Sequence, residues 1–97
     1  MNKKSLNYFT SARKTFSKEI NSLSKLSKKI NQKKDNEICE LILNCKGNTV
    51  LMGIGKSGSI AAKTSSTLSS TGTSSFFLNA AEASHGDLGS LKKNDVL

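Results

Sequence analysis

At 97 residues, with 35% hydrophobic side chains and neither tryptophan nor proline, the chain can build one domain with a small core. Its apolar runs of three or four residues are too short for a signal-peptide core or a membrane span, so it reads as cytoplasmic. The net charge of +8 is lopsided: eleven basic and four acidic side chains lie at or before Asn48, and four and three after it. The lysines alternate with Ser and Asn, without aromatic residues to stack on bases, and read as a solvated helix face rather than a nucleic-acid site.

In chain order, residues 1–34 carry Leu6, Phe9, Phe16, Ile20, Leu23, Leu26 and Ile30 at spacings of three, four and seven. This pattern predicts one amphipathic helix over 1–34, a unit of its own. Its stripe suits packing on the following domain or on the same helix of a second subunit. A membrane-surface helix fits less well, because small polar residues interrupt the charged face.

Residues 35–97 form the second unit. Asp35 or Asn36 is expected to cap a helix with Glu37 in its first turn. Ile38, Leu41, Ile42 and Cys45 mark its apolar face, expected to cover one face of a sheet, and Lys46-Gly47 ends it. Cys39 and Cys45 lie six residues apart on this helix, on different faces and without a metal-ligand cluster, and read as reduced structural cysteines.

Thr49 to Met52 is a strand, apolar on consecutive positions as in a parallel sheet covered on both sides. Gly53-Ile54-Gly55-Lys56-Ser57-Gly58 is a turn opening into a helix over Ser57 to Thr71, with Ile60, Thr64, Thr67, Leu68 and Thr71 inward and Gly72 as its stop. Ser75 to Leu78 is a second strand, joined to the first by a right-handed parallel crossover. Ala80 to Ser84 is a helical turn and His85 to Gly89 a loop beyond the carboxyl end of that strand, where ligands gather in open α/β sheets. Lys92 to Asp95 is a turn, and Val96-Leu97 begins a third strand.

The glycine turn asks for an anion. Alternating glycines let the backbone bend and approach a ligand, and the helix that follows offers free N–H groups and a positive dipole end. A Walker A loop is excluded, since Val50 stands where its first glycine should be. The dinucleotide fingerprint fits Gly53, Gly55 and Gly58, but Asn79 stands where its acidic residue should end the second strand.

Gly53-Ile54-Gly55-Lys56-Ser57-Gly58, then Ser70-Thr71-Gly72, then Glu82-Ala83-Ser84-His85-Gly86-Asp87-Leu88-Gly89 resemble, in order and spacing, the sugar isomerase (SIS) domain of D-arabinose 5-phosphate isomerases of the KpsF/GutQ type. The resemblance covers roughly residues 35 to 97. It implies a three-layer, doubly wound parallel α/β sheet of flavodoxin-like type, here truncated after the start of its third strand and preceded by N-terminal helices. The implied parent is longer and homo-oligomeric, with residues 1–34 taking part in subunit association.

The implied reaction interconverts D-ribulose 5-phosphate and D-arabinose 5-phosphate for the synthesis of Kdo, a sugar of bacterial lipopolysaccharide. It needs a base to move a proton between adjacent carbons and an electrophile to stabilise the enediolate, and no cofactor. The resemblance makes Lys56 and His85 the catalytic candidates, with His85 also an occasional metal ligand. Gly55, Ser57, Gly58, Ser70, Thr71, Glu82 and Asp87 are the substrate-binding candidates, and Glu82 and Asp87 orient the loop. Ser59 departs from the family, which commonly has histidine there. The alternatives are a non-catalytic phosphosugar-binding module and an inactive truncated product; the isomerase is favoured by the run from Glu82 to Gly89.

Overall fold

A computed structural model describes residues 7–97; Leu6, the first residue of the expected stripe, lies outside them. The chain divides into two units, Met1–Asp35 and Asn36–Leu97. The first holds helix α1 (Tyr8–Lys29), opened by Asn7, whose side-chain oxygen accepts the Thr10 N–H at 3.0 Å. Phe9, Phe16, Ile20, Leu23 and Leu26 line its apolar stripe, and each is more than half exposed. The Arg13 guanidinium lies 5.7 Å from the Phe9 ring centroid, a cation over an aromatic face.

The single helix expected over 1–34 ends at Lys29, and Ile30 is extended, with ψ 145°. Asn31 opens the next helix, α2 (Gln32–Leu43), its side-chain oxygen accepting the Lys34 N–H at 3.1 Å. The cap is therefore Asn31 and not Asp35 or Asn36. An asparagine side chain satisfies a free N–H at a helix start and competes with the backbone inside a helix, so Asn31 both breaks one helix and starts another.

In the second unit, β1 (Thr49–Gly53) and β2 (Ser75–Asn79) pair in parallel, with Val50 opposite Phe76, Met52 opposite Leu78 and Gly53 opposite Asn79. Thr49 N–H donates to Ser74 O on the β2 side, whereas Val50 N–H donates to Val96 O at 2.7 Å and Val96 N–H to Asn48 O at 3.0 Å. Because backbone groups alternate sides along a strand, Val96 lies on the edge of β1 opposite β2, and β1 is central. The expected third strand begins there as a single bridge.

Side chains alternate across the sheet in the same way. Val50, Leu78 and Ala83 are the buried apolar core, with Met52, Phe76 and Leu91 packed against them. The other face lies under α3 (Gly55–Ser70), which packs on both strands. Its serines let it approach closely: the Ser75 hydroxyl donates to the buried Ser65 hydroxyl at 2.9 Å, and Ser69 Oγ donates to Ser75 O at 2.8 Å. Gly72 stops the helix with φ 101°, while Thr73 N–H reaches back to Leu68 O and Gly72 N–H to Ser69 O, a paired closure of the last turn.

Helix α2 does not cover a sheet face as expected. It has no buried residue; Ile38 and Leu41 are 55% and 57% exposed. With Leu51, Leu68, Val96 and Leu97 they line an open apolar groove of about 400 Å³. Beyond β1 on that side only Val96 is paired.

The last turn is clipped to the start of β1. Asp95 accepts the Asn48 N–H at 2.8 Å and the Lys92 N–H at 2.7 Å, and Gly47 N–H donates to Asn94 O. A side chain at Gly47 would run into the Asn94 carbonyl, 2.8 Å from its Cβ. The Asn48 and Lys92 N–H groups favour the charged carboxylate and hold the Asp95 pKa below its ordinary value. The clip's contribution is therefore present at neutral pH, above the unfolded pKa, and is lost as pH falls through the lower folded one. Asp95→Asn is expected to lower the urea midpoint at pH 7, and the gap from the parent chain should close as pH drops below about 4; a gap constant with pH would remove the carboxylate from this role.

Candidate functional site

Three glycines shape the turn between β1 and α3, each for its own reason. Gly55 has φ 62°, a left-handed conformation that L side chains resist. Gly53 and Gly58 stand backbone to backbone: a Cβ on Gly53 would lie 3.0 Å from Gly58 Cα and N, and one on Gly58 would lie 3.1 Å from Gly53 C and O. The tip of the Phe77 ring lies 3.5 Å from the same Cβ position. The helix therefore springs directly off the strand end.

Gly58 N–H makes the first helical bond, to Ile54 O at 3.1 Å, and no side chain caps α3. The N–H groups of Gly55, Lys56 and Ser57 are left without intrahelical acceptors at the positive end of the helix. Lys56 and Ser57 are exposed beside them and add an ammonium and a hydroxyl. Ser59 donates its hydroxyl to Gly55 O at 3.4 Å, a long bond that returns it to the helix.

The second loop rises from the adjacent strand end, since Asn79 is the register partner of Gly53. Asn79 Oδ1 accepts the Ala81 N–H at 2.9 Å and opens a one-turn helix, α4 (Ala80–Ala83). Ser84 Oγ donates to Ala81 O, His85 N–H to Glu82 O at 2.9 Å and Gly86 N–H to Ala83 O. Gly86, with φ 116°, turns the chain into a 3-10 turn, Asp87–Ser90. Glu82, His85 and Asp87 are exposed on this loop.

Of the expected site residues, Gly55, Lys56, Ser57 and Gly58 form one turn, and Glu82, His85 and Asp87 sit on the loop that begins at the neighbouring strand end. Ser70 and Thr71 are elsewhere. They lie at the opposite end of α3, about 22 Å along the axis from Gly55 at 1.5 Å per residue. Ser70 Oγ and Thr71 Oγ1 both donate to Thr67 O, satisfying the carbonyls of the last turn. One chain does not bring them to Lys56. Among the described residues no three His, Cys, Asp or Glu side chains come together as a metal would require. The cap that the sequence reading missed is Asn79, read only as the wrong residue for a dinucleotide fold; an asparagine between a strand and a helical turn is itself a cap signal.

Two parallel strands, an uncapped helix end on one of them and a histidine-bearing loop on the other define an α/β unit whose free N–H groups and exposed polar side chains gather at the carboxyl edge of its sheet. No protein-family model matches the chain. Arabinose 5-phosphate isomerase KpsF of Escherichia coli is 47% identical over 88 residues, which are 91% of this chain and 27% of that protein. The probable arabinose 5-phosphate isomerase of Haemophilus influenzae is 47% identical over 92 residues, 95% of this chain and 27% of the relative. KdsD of Pseudomonas aeruginosa, also an arabinose 5-phosphate isomerase, is 56% identical over 59 residues, 61% and 18% of the two chains. An Escherichia coli protein solved in complex with arabinose 5-phosphate superposes with a TM-score of 0.78 at 34% identity, over 94% of this chain and 50% of that one. The chain is homologous to a segment of the arabinose 5-phosphate isomerases and spans about a quarter of the length of the curated relatives KpsF and the Haemophilus protein.

The contact between Gly53 and Gly58 can be tested by one methyl. The two atoms nearest that methyl, Gly53 C and O, are backbone and cannot swing away, so Gly58→Ala is expected to destabilise the unit by about 1–3 kcal/mol. Gly89→Ala, where a Cβ meets nothing within 4 Å, should change stability by less than about 0.5 kcal/mol. Equal urea midpoints for the two variants would mean that the strand and helix do not need this approach.

Proposed function

We propose that the chain supplies the phosphate-holding turn and the histidine loop of an aldose–ketose isomerase that interconverts D-arabinose 5-phosphate and D-ribulose 5-phosphate. The observation that carries this reading is the uncapped start of α3, with Lys56 and three free N–H groups, set on the strand end next to the one that feeds the His85 loop. The homology to arabinose 5-phosphate isomerases and the neighbour solved with arabinose 5-phosphate supply the substrate class.

In this reading the open-chain sugar phosphate is held by an anionic end. The N–H groups of Gly55, Lys56 and Ser57 and the Ser57 hydroxyl donate to oxyanions, and the Gly53–Gly58 contact fixes their direction. Lys56 neutralises the phosphate or polarises the carbonyl oxygen on which negative charge grows as the enediolate forms. His85 contacts the sugar or carbonyl oxygen, while Glu82 and Asp87 orient its loop. Ser70 and Thr71 stand apart from this set. The proton-moving carboxylate belongs to the remainder of such an enzyme.

The same reading places residues 35–97 in a three-layer, doubly wound SIS domain whose sheet continues from the Val96 bridge. Residues 1–34 then offer the α1 stripe to a second subunit in a homo-oligomer. The setting is cytoplasmic, the pathway lipopolysaccharide sugar synthesis, and neither nucleic acid nor membrane is a partner.

Titration of the 97-residue chain with arabinose 5-phosphate, followed by amide NMR, is expected to move the signals of Gly55 to Gly58 and of His85. No movement at either place would overturn the reading. Lys56→Ala, built into a chain of the relatives' full length, should lower kcat by about 10²–10³ while leaving the fold intact; normal turnover by a folded variant would remove Lys56 from the chemistry.

A further inference from the structure

His85 is exposed on a short loop, yet a substrate contact has to be held in place before the substrate arrives. Three bonds hold the backbone around it: His85 N–H on Glu82 O, Gly86 N–H on Ala83 O and Ser84 Oγ on Ala81 O. Together they make one turn of helix, too short to persist by its own propensity because nucleation fixes several residues for each bond gained. Two anchors tie that turn to the sheet. One is the methyl of Ala83, 6% exposed against Val50 and Leu78. The other is Asn79, whose Oδ1 accepts the Ala81 N–H while its backbone ends β2 opposite Gly53.

We infer that Asn79 is a positioning residue, which acts through α4 to hold the His85 loop at the strand end beside the phosphate turn. This inference rests on the proposed reading of His85 as a substrate contact. The residue type follows from the geometry. Asn, Asp and Ser can each reach a helical N–H two residues on, whereas Gln is one methylene too long for that closure and Ala has no acceptor. Asp would cap as well as Asn, but its carboxylate would stand at the strand end beside Gly53, next to the place where the anion binds. A neutral cap is what an anion site requires here.

The test uses the 97-residue chain and its only histidine, whose imidazole signals belong to one residue. Without ligand, Asn79→Ala is expected to speed amide hydrogen exchange at His85 and Gly86 about fivefold, the usual effect of losing a cap, with Gly58 unchanged. With arabinose 5-phosphate, the same variant should lose the imidazole shift while Gly58 N–H still responds. Asn79→Ser should restore both readouts, Asn79→Gln should behave as the alanine variant, and Asn79→Asp should keep slow exchange but bind the phosphate more weakly. Wild-type exchange and a wild-type imidazole shift in the alanine or glutamine variant would overturn the inference, as would loss of the Gly58 response in step with that of His85. If the parent chain ignores arabinose 5-phosphate altogether, the isomerase reading fails, and the exchange arm alone decides whether Asn79 holds the turn.

Discussion

The arrangement of this protein depends on a contact between two backbones. Gly53 ends β1 and Gly58 sits in the first turn of α3, and neither has room for a Cβ on the side facing the other. Because the helix starts this close to the strand, its free N–H groups fall at the carboxyl edge of the sheet instead of being carried away by a longer loop. The same closeness turns the narrow, serine-bearing face of α3 onto both strands, where Ser65 and Ser75 can share a hydrogen bond. Binding chemistry and packing therefore share one cause.

Charge decides which guest would suit the start of α3. The start of α3 has no acidic side chain in its first turn and no capping oxygen, so the helix itself does not neutralise its positive end. A phosphate there gains hydrogen bonds and dipole together, while a cation would meet Lys56 and the positive pole. The opposite end of the same helix is closed by protein groups, through Gly72 and the hydroxyls of Ser70 and Thr71. One end is left uncapped and the other is finished internally.

Much of this could be read from the residues because glycine and apolar runs alternate so clearly between Thr49 and Leu78. Both strands appear as uninterrupted apolar triplets, and each is one residue longer in the structure, where Gly53 and Asn79 complete the register. The break after Lys29 was hidden because Ile30 continues the apolar period through it; the signal lay in Asn31, whose side chain outcompetes the helix for its own backbone. Ser70 and Thr71 enter through the motif, which carries no distance; within this chain the length of α3, Gly55–Ser70, lies between them and the glycine turn. The exposed face of α2 was also out of reach, because the alternation of its side chains says which face is apolar and not how wide the neighbouring sheet is. Asn79 was weighed as a missing acid when its chemistry is that of an acceptor.

The size of the core has a thermal consequence. Val50, Leu78 and Ala83 are its only buried apolar residues among those described, and no large side chain is fully enclosed. Unfolding such a unit exposes little new apolar surface, and the heat capacity of unfolding scales with that surface. For this chain the curve of stability against temperature is expected to be correspondingly flat, with a broad melting transition. A ligand that bound only the folded chain would add to its stability by mass action.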